Sequence, residues 1–125
     1  GSTAVVCEGI LDALSVERVL LRRHRWVPIA RLGSTVTTQQ LFQLKKYENV
    51  LILPDWDRPG IKGAVKFASL CVEQHLQVQV AVPEVLNGRD PGLMTEEEIE
   101  VYMATAMPWT QEMEWRLRAI PEGVV

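Results

Sequence analysis

The sequence predicts an α/β protein: a parallel sheet of about four strands with helices on both faces. Two observations predict it. Short apolar runs of strand length alternate along the chain with longer segments whose apolar residues recur at helical spacing. Turn or helix-capping residues separate the two kinds of segment. A strand–helix alternation of this kind is typical of a doubly wound sheet with right-handed crossovers.

Four short segments are predicted to be strands. They are residues 4–7, 26–32, 49–54 and 77–82. The third is the strongest because it is continuously apolar up to a polar turn, as expected for a strand buried on both faces. Pro28 lies inside the second segment and cannot donate a ladder hydrogen bond, so we place that strand near an edge of the sheet.

Five longer segments are predicted to be helices. They are residues 10–22, 37–46, 61–72, 95–103 and 109–120. The second and fourth begin with Thr-x-x-Gln and Thr-x-x-Glu, the spacing of a capping box. We expect residues 4–106 to form one domain and residues 1–3 to be a leader or tag remnant. Residues 107–125 are expected to be a helical extension that leads to or packs on another module.

Composition and charge restrict the class of protein. Apolar residues make up 47% of the 125 residues and charged ones 23%, which is typical of a globular domain. No apolar run approaches the ~18 residues that cross a membrane, so we expect a cytoplasmic protein. The net charge of −3 argues against a broad basic face for nucleic acid. The basic cluster at residues 22–25 is interpreted as a solvated helix end.

The cysteines and histidines predict no zinc site. Cys7 and Cys71 are far apart and form no Cys-x-x-Cys pair, and His24 and His75 each stand alone. We interpret both thiols as buried small hydrophobes.

Acidic side chains follow three of the predicted strands. Glu8 follows the first strand, Asp55 and Asp57 follow the third, and Asp90 lies in the loop after the fourth. Ligands of doubly wound sheets bind where the carboxyl ends of the strands meet. Carboxylate oxygens are ligands that Mg²⁺ prefers. The sequence therefore predicts a site for Mg²⁺, or Mn²⁺, at this edge.

Some of these signals have a second interpretation. A lone Asp-x-Asp after a strand is more often a turn and helix cap, and only the combination with Glu8 favours a metal site. Asp12, one turn into the first helix, either faces the site or is a solvated acid near a helix N-terminus. Gly9 and Gly60 allow close approach of backbone or substrate, and the helix near Gly60 offers amides to an anion.

At these residues the sequence resembles the toprim domain shared by DnaG-type DNA primases, topoisomerases and some nucleases. Residues 6–14 (VCEGILDAL) are similar to a primase segment in which Glu-Gly precedes a helical Asp. Residues 31–40 (RLGSTVTTQQ) resemble a block that topoisomerases do not usually carry. Residues 55–60 (DWDRPG) and 88–91 (GRDP) resemble Asp-x-Asp-x-Ala-Gly and Gly-Lys-Asp-Pro. The resemblance covers about residues 4 to 106.

The resemblance implies a Rossmann-like toprim fold and the chemistry of a bacterial or phage primase. That chemistry is Mg²⁺-dependent synthesis of short RNA primers from NTPs on a single-stranded DNA template. Asp55 and Asp57 would hold Mg²⁺, and Glu8 would be a further ligand or a proton acceptor. Asp90 and Asp12 would tune a second cation position. The implied partner is a replicative helicase, contacted through other domains.

The resemblance also implies a set of nucleotide- or nucleic-acid-binding residues. This set is Gly9, Arg58, Gly60, Lys62 and Arg89. The isolated chain is expected to be inactive, because primases need basic residues from a preceding subdomain.

Departures from the family pattern are few. Trp56 stands where a small residue is common and Pro59 where Ala is common, and Gly92-Leu93 replaces the Asp-Glu or Asp-Thr that often follows Asp-Pro. These departures favour a phage or mobile-element primase.

Two alternatives stay open. One is a toprim nuclease, or a stand-alone toprim protein, in which the same acids position water. The other is a non-catalytic module of a replication protein, with the acids as caps and residues 109–120 as its contact surface.

Overall fold

A five-stranded sheet lies at the centre of the computed structural model, which describes residues 1–31, 37–55, 58–82 and 91–119. The strands are β1 (Thr3–Cys7), β2 (Trp26–Ala30), β3 (Asn49–Leu53), β4 (Gln77–Val80) and β5 (Met107–Pro108). Their order across the sheet is β2-β1-β3-β4-β5. Neighbouring strands are parallel except β4 and β5, which are antiparallel. The predicted parallel α/β class is confirmed.

Five α-helices connect or cover these strands. They are α1 (Ile10–Leu20), α2 (Thr38–Leu44), α3 (Arg58–Glu73), α4 (Glu96–Ala104) and α5 (Gln111–Arg118). A short 3₁₀ turn, Pro91–Leu93, precedes α4. Both predicted capping boxes are confirmed: Thr37 and Gln40 bond reciprocally at the start of α2, and Thr95 and Glu98 at the start of α4. These bonds satisfy amides that the first helical turn leaves without an intrahelical acceptor.

The sheet separates two apolar clusters because successive strand residues point to opposite faces. In β1, Ala4 and Val6 pack in one cluster with residues of α2, α3 and α5. Val5 and Cys7 pack in the other cluster with residues of α1 and α4. Helices thus lie on both faces, as predicted.

The two edge strands differ in how well the sequence predicts them. β2 is an edge strand that contains Pro28, in agreement with the prediction. β5 is not predicted, because a two-residue strand is too short to show a periodic pattern. It pairs with β4 through Val80 opposite Met107 and Gln79 opposite Pro108.

Helix α5 packs on the sheet-covering helix α3. Met113 and Leu117 are buried in the same cluster as the apolar side of α3, and the Ser69 hydroxyl lies 3.4 Å from a carboxylate oxygen of Glu114. The domain boundary at residue 106 and a further module beyond it stay predictions.

Across the described residues, no helix has both the length and the apolar character that a membrane span requires.

Candidate metal-binding site

Three charged residues, each after the end of a different strand, lie next to one another at one edge of the sheet. Cys7, the last residue of β1, is in register with Ala30 on one side and with Leu53 on the other. The chain after these positions brings Arg31, Glu8 and Asp55 to the same edge, in the order of β2, β1 and β3. Neighbouring strands lie about 4.8 Å apart, so these residues begin within side-chain reach of one another.

Glu8 and Asp55 are partly buried at this edge. The side chain of Glu8 is 23% exposed, and Asp55 is likewise between buried and exposed. One oxygen of each carboxylate, Glu8 Oε1 and Asp55 Oδ1, is shut off from solvent. Removing a carboxylate oxygen from water is costly unless positive charge or hydrogen-bond donors compensate. Carboxylate oxygens are also the ligands that Mg²⁺ prefers.

The electrostatics of Cys7 indicate that the predicted acids share one region. Burial raises the pKa of the Cys7 thiol to about 12, and the negative charges of Asp12, Asp55 and Glu8 contribute to the rise. The pKa of Tyr102 is raised well above its usual value by burial first, then by Asp55 and other neighbours including Glu8 and Asp12. Carboxylates from α1 and from the ends of β1 and β3 therefore act on the same two buried groups.

Tyr102 fixes the end of β3. It is completely buried on α4, and its hydroxyl donates a hydrogen bond to the carbonyl of Pro54. Asp55 follows that carbonyl directly, so α4 positions the acid. The sequence predicts a helix over residues 95–103 but carries no local signal of this contact.

Asp12 is a buried acid that holds a loop in place. It is 8% exposed, which excludes the interpretation as a solvated helix acid. Its Oδ1 accepts a hydrogen bond from the Gly92 amide at 2.9 Å. A Cβ at Gly92 would lie only 3.0 Å from that oxygen. Glycine at this position therefore lets the turn Pro91–Leu93 approach α1.

Arg31 is a component of the site that the sequence analysis does not include. Its amide donates to the carbonyl of Cys7 at 2.6 Å, and its Nη2 lies 3.6 Å from Glu8 Oε1. Its position directly after β2 could have identified it in the sequence. Residues that follow parallel strands lie at the same edge of the sheet whether they are basic or acidic.

The other predicted site residues are placed as follows. Gly9 is the N-cap of α1 in an extended conformation. Gly60 is buried in the first turn of α3, and Lys62 is exposed on the same helix. Asp57, Arg89, Asp90 and the side chain of Arg58 lie outside the described residues. The structure thus brings together Glu8, Asp12 and Asp55, whose role as ligands stays a prediction.

The donor set fits a divalent cation that prefers oxygen. Within residues 1–31, 37–55, 58–82 and 91–119, no three His, Cys, Asp or Glu side chains are grouped as metal ligands. Mg²⁺ usually takes one or two protein carboxylates and completes its octahedron with water and phosphate oxygens. Glu8 and Asp55, at the ends of two adjacent strands, would supply that number of hard ligands.

Known proteins with similar sequences point to one family. A family model described as Toprim-like matches residues 5–92. The DNA primase of Listeria monocytogenes is 30% identical over 109 residues, and that of Listeria innocua is 28% identical. Each match covers 82% of this chain and 17% of the primase. The chain therefore spans about a sixth of the length of these relatives.

A solved structure supports the same fold. The crystal structure of the zinc-binding and RNA polymerase domains of the Aquifex aeolicus primase superposes with a TM-score of 0.67 at 24% identity. The match covers 93% of this chain and 31% of that one.

Proposed function

Because the chain belongs to the toprim-like family, we propose that it is the metal-binding catalytic domain of a DNA primase. The protein would make short RNA primers from NTPs on a single-stranded DNA template. One observation carries the proposal: Glu8 and Asp55 lie at adjacent strand ends with carboxylate oxygens buried at one rim. The DNA primase relatives support the choice of reaction.

Glu8 and Asp55 would hold Mg²⁺ or Mn²⁺, with Asp57 and Asp90 as further proposed ligands. A bound metal lowers the pKa of an attacking hydroxyl and balances charge on the transferring phosphoryl group. Glu8 stands at the end of the central strand β1 and would also accept the proton of the 3′-hydroxyl. Asp12 would act by holding the turn Pro91–Leu93 against α1.

The phosphates of the nucleotide would lie near the start of α3. Helix N-termini present free amides and a positive dipole end to anions. Gly60 is buried in this first turn and Lys62 is exposed one turn into the helix. Gly9 would allow close approach on the β1 side, and Arg58 and Arg89 would contribute positive charge.

The net charge of −3 limits what this chain does alone. A duplex or a single strand is held mainly through neutralisation of its phosphates by Lys and Arg. We therefore expect other parts of the primase to hold the template and to contact a replicative helicase in a bacterial or phage-infected cell. The isolated chain would bind the metal and synthesise no primer.

Primer synthesis by the complete protein tests the proposal. Glu8→Gln and Asp55→Asn are each expected to lower incorporation of labelled NTPs on single-stranded DNA by about 100-fold or more, because each removes a charged ligand. Glu17→Gln, the same change at an exposed acid on α1, is the matched control and should keep wild-type activity. Full activity of Asp55→Asn would contradict the proposal.

The same variants separate the alternatives. Cleavage of labelled single-stranded DNA without NTP incorporation, lost in Asp55→Asn, would indicate a toprim nuclease. Absence of both activities, together with no localised Mn²⁺ broadening of NMR signals at Glu8 and Asp55, would indicate a non-catalytic module.

A further inference from the structure

Arg31 is held in a fixed place between β1 and α3. It is the first residue after β2, and its backbone is fastened by the hydrogen bond to the carbonyl of Cys7. Its side chain is only 10% exposed. Its guanidinium brings a positive charge to the rim.

Two residues of helix α3, Phe67 and Gly63, shape the space that the Arg31 side chain occupies. The guanidinium carbon lies over the ring of Phe67, 5.5 Å from its centre. One turn earlier, a Cβ at Gly63 would lie 2.7 Å from Arg31 Nη2, closer than such atoms ever pack. Glycine at position 63 therefore leaves the space that the guanidinium uses, and Phe67 supports its plane.

In this position the Arg31 guanidinium lies next to the carboxylate of Glu8. Its Nη2 lies 3.6 Å from Oε1, the oxygen of Glu8 that is shut off from solvent. The side chain of Glu8 nevertheless stays 23% exposed. Since β1 lies between β2 and β3, the backbone of Arg31 lies on the opposite side of β1 from Asp55.

We propose that Arg31 is a positioning residue, which holds the carboxylate of Glu8 in the orientation that binds a divalent cation, and that Gly63 makes room for it. The inference rests on the proposed function, because Glu8 must be a ligand. Residues that orient a ligand from behind commonly change metal affinity by about 10- to 100-fold. Arg31 touches neither metal nor substrate and acts only through Glu8.

A double-mutant cycle on the 125-residue chain tests this role, with Mn²⁺ as the probe and titration calorimetry as the measurement. Arg31→Met is expected to raise the dissociation constant for Mn²⁺ about tenfold in the wild-type background. In the Glu8→Gln background it should cause no further change, because the group that Arg31 orients has lost its charge.

Arg23→Met is the matched control. Arg23 also pairs with a glutamate, Glu100, and stacks 4.5 Å from the centre of the Trp26 ring. It lies just before β2, at the other end of the strand from Arg31. The substitution removes the same kind of contact away from the site, so Mn²⁺ affinity should stay at the wild-type value.

Gly63→Ala keeps the guanidinium but takes its space. Alanine favours a helix more than glycine does, so α3 should form, while Mn²⁺ binding should weaken in the same direction as in Arg31→Met. If Arg31→Met does not fold, Arg31→Gln, which also removes the charge but keeps a polar end, replaces it in the cycle, and an unchanged dissociation constant overturns the inference.

The possible results distinguish the positioning role of Arg31 from the proposed metal binding by Glu8. Weaker binding in Arg31→Met only when Glu8 is present supports the positioning role. Unchanged or tighter binding, or equal weakening in both backgrounds, overturns it while the metal site stands. If Glu8→Gln itself leaves the Mn²⁺ affinity unchanged, Glu8 is not a ligand. The role proposed for Arg31 is then excluded as well.

Discussion

Among single residues of the site, some could be predicted from the sequence and others could not. Glu8 and Asp55 are predicted as site residues because each comes after a strongly apolar strand, and the structure places both at one edge of the sheet. Arg31 comes after β2 in the same way, but the prediction of a metal site depends on acids alone. The bond between Tyr102 and Pro54 joins residues 48 positions apart. No local pattern encodes it, because it depends on how α4 packs on the sheet.

The buried thiols make stability depend on pH. The pKa values of Cys7 and Cys71 are each raised to about 12, chiefly by burial, from an unfolded value of 9.0. Above pH 9 the unfolded chain releases thiol protons that the folded chain retains. The free energy of unfolding should therefore fall by up to about 1.4 kcal/mol per pH unit for each thiol between pH 9 and 12.

Urea unfolding at pH 8 and at pH 10.5 measures this loss. Cys71→Ala should show a smaller difference between the two pH values than wild type, since one of the two thiols is gone. A pH dependence that Cys71→Ala leaves unchanged would show that this thiol does not contribute.

Among the elements, those with local signals are the ones the sequence predicts well. The capping boxes at Thr37 and Thr95 depend on residues three positions apart, and both are present in the structure. Pro28 predicts the edge position of β2 because proline lacks the amide that a central strand needs. β5 forms only because the chain after α4 returns to β4. That pairing is set by tertiary packing and has no sequence signature.

The attachment of α4 to β3 gives an element-scale prediction. Tyr102→Phe removes the donor to the buried carbonyl of Pro54 and should lower the free energy of unfolding by about 1–3 kcal/mol. Urea denaturation followed by circular dichroism measures it. Tyr47→Phe removes the other tyrosine hydroxyl, from a half-buried ring, and should change the stability by less than about 0.5 kcal/mol. Equal effects of the two substitutions would contradict the proposed attachment.

At the scale of the whole molecule, the sheet order explains why one rim collects the charges. β1 and β3 are central strands, and parallel pairing along β2, β1, β3 and β4 sends all four carboxyl ends to the same edge. The fold class could be predicted from strand and helix alternation alone. The predicted ligands Asp57 and Asp90 lie outside the described residues, so the described part of the predicted site is the pair from β1 and β3, whose role as ligands stays a prediction.

Crystals of the chain soaked in Mn²⁺, with anomalous diffraction to locate the ion, test this pairing most directly. A peak is expected at about 2.0–2.2 Å from carboxylate oxygens of both Glu8 and Asp55, and it should be lost in crystals of Asp55→Asn. An ion bound elsewhere, or a wild-type map with no peak between these two side chains, would contradict it.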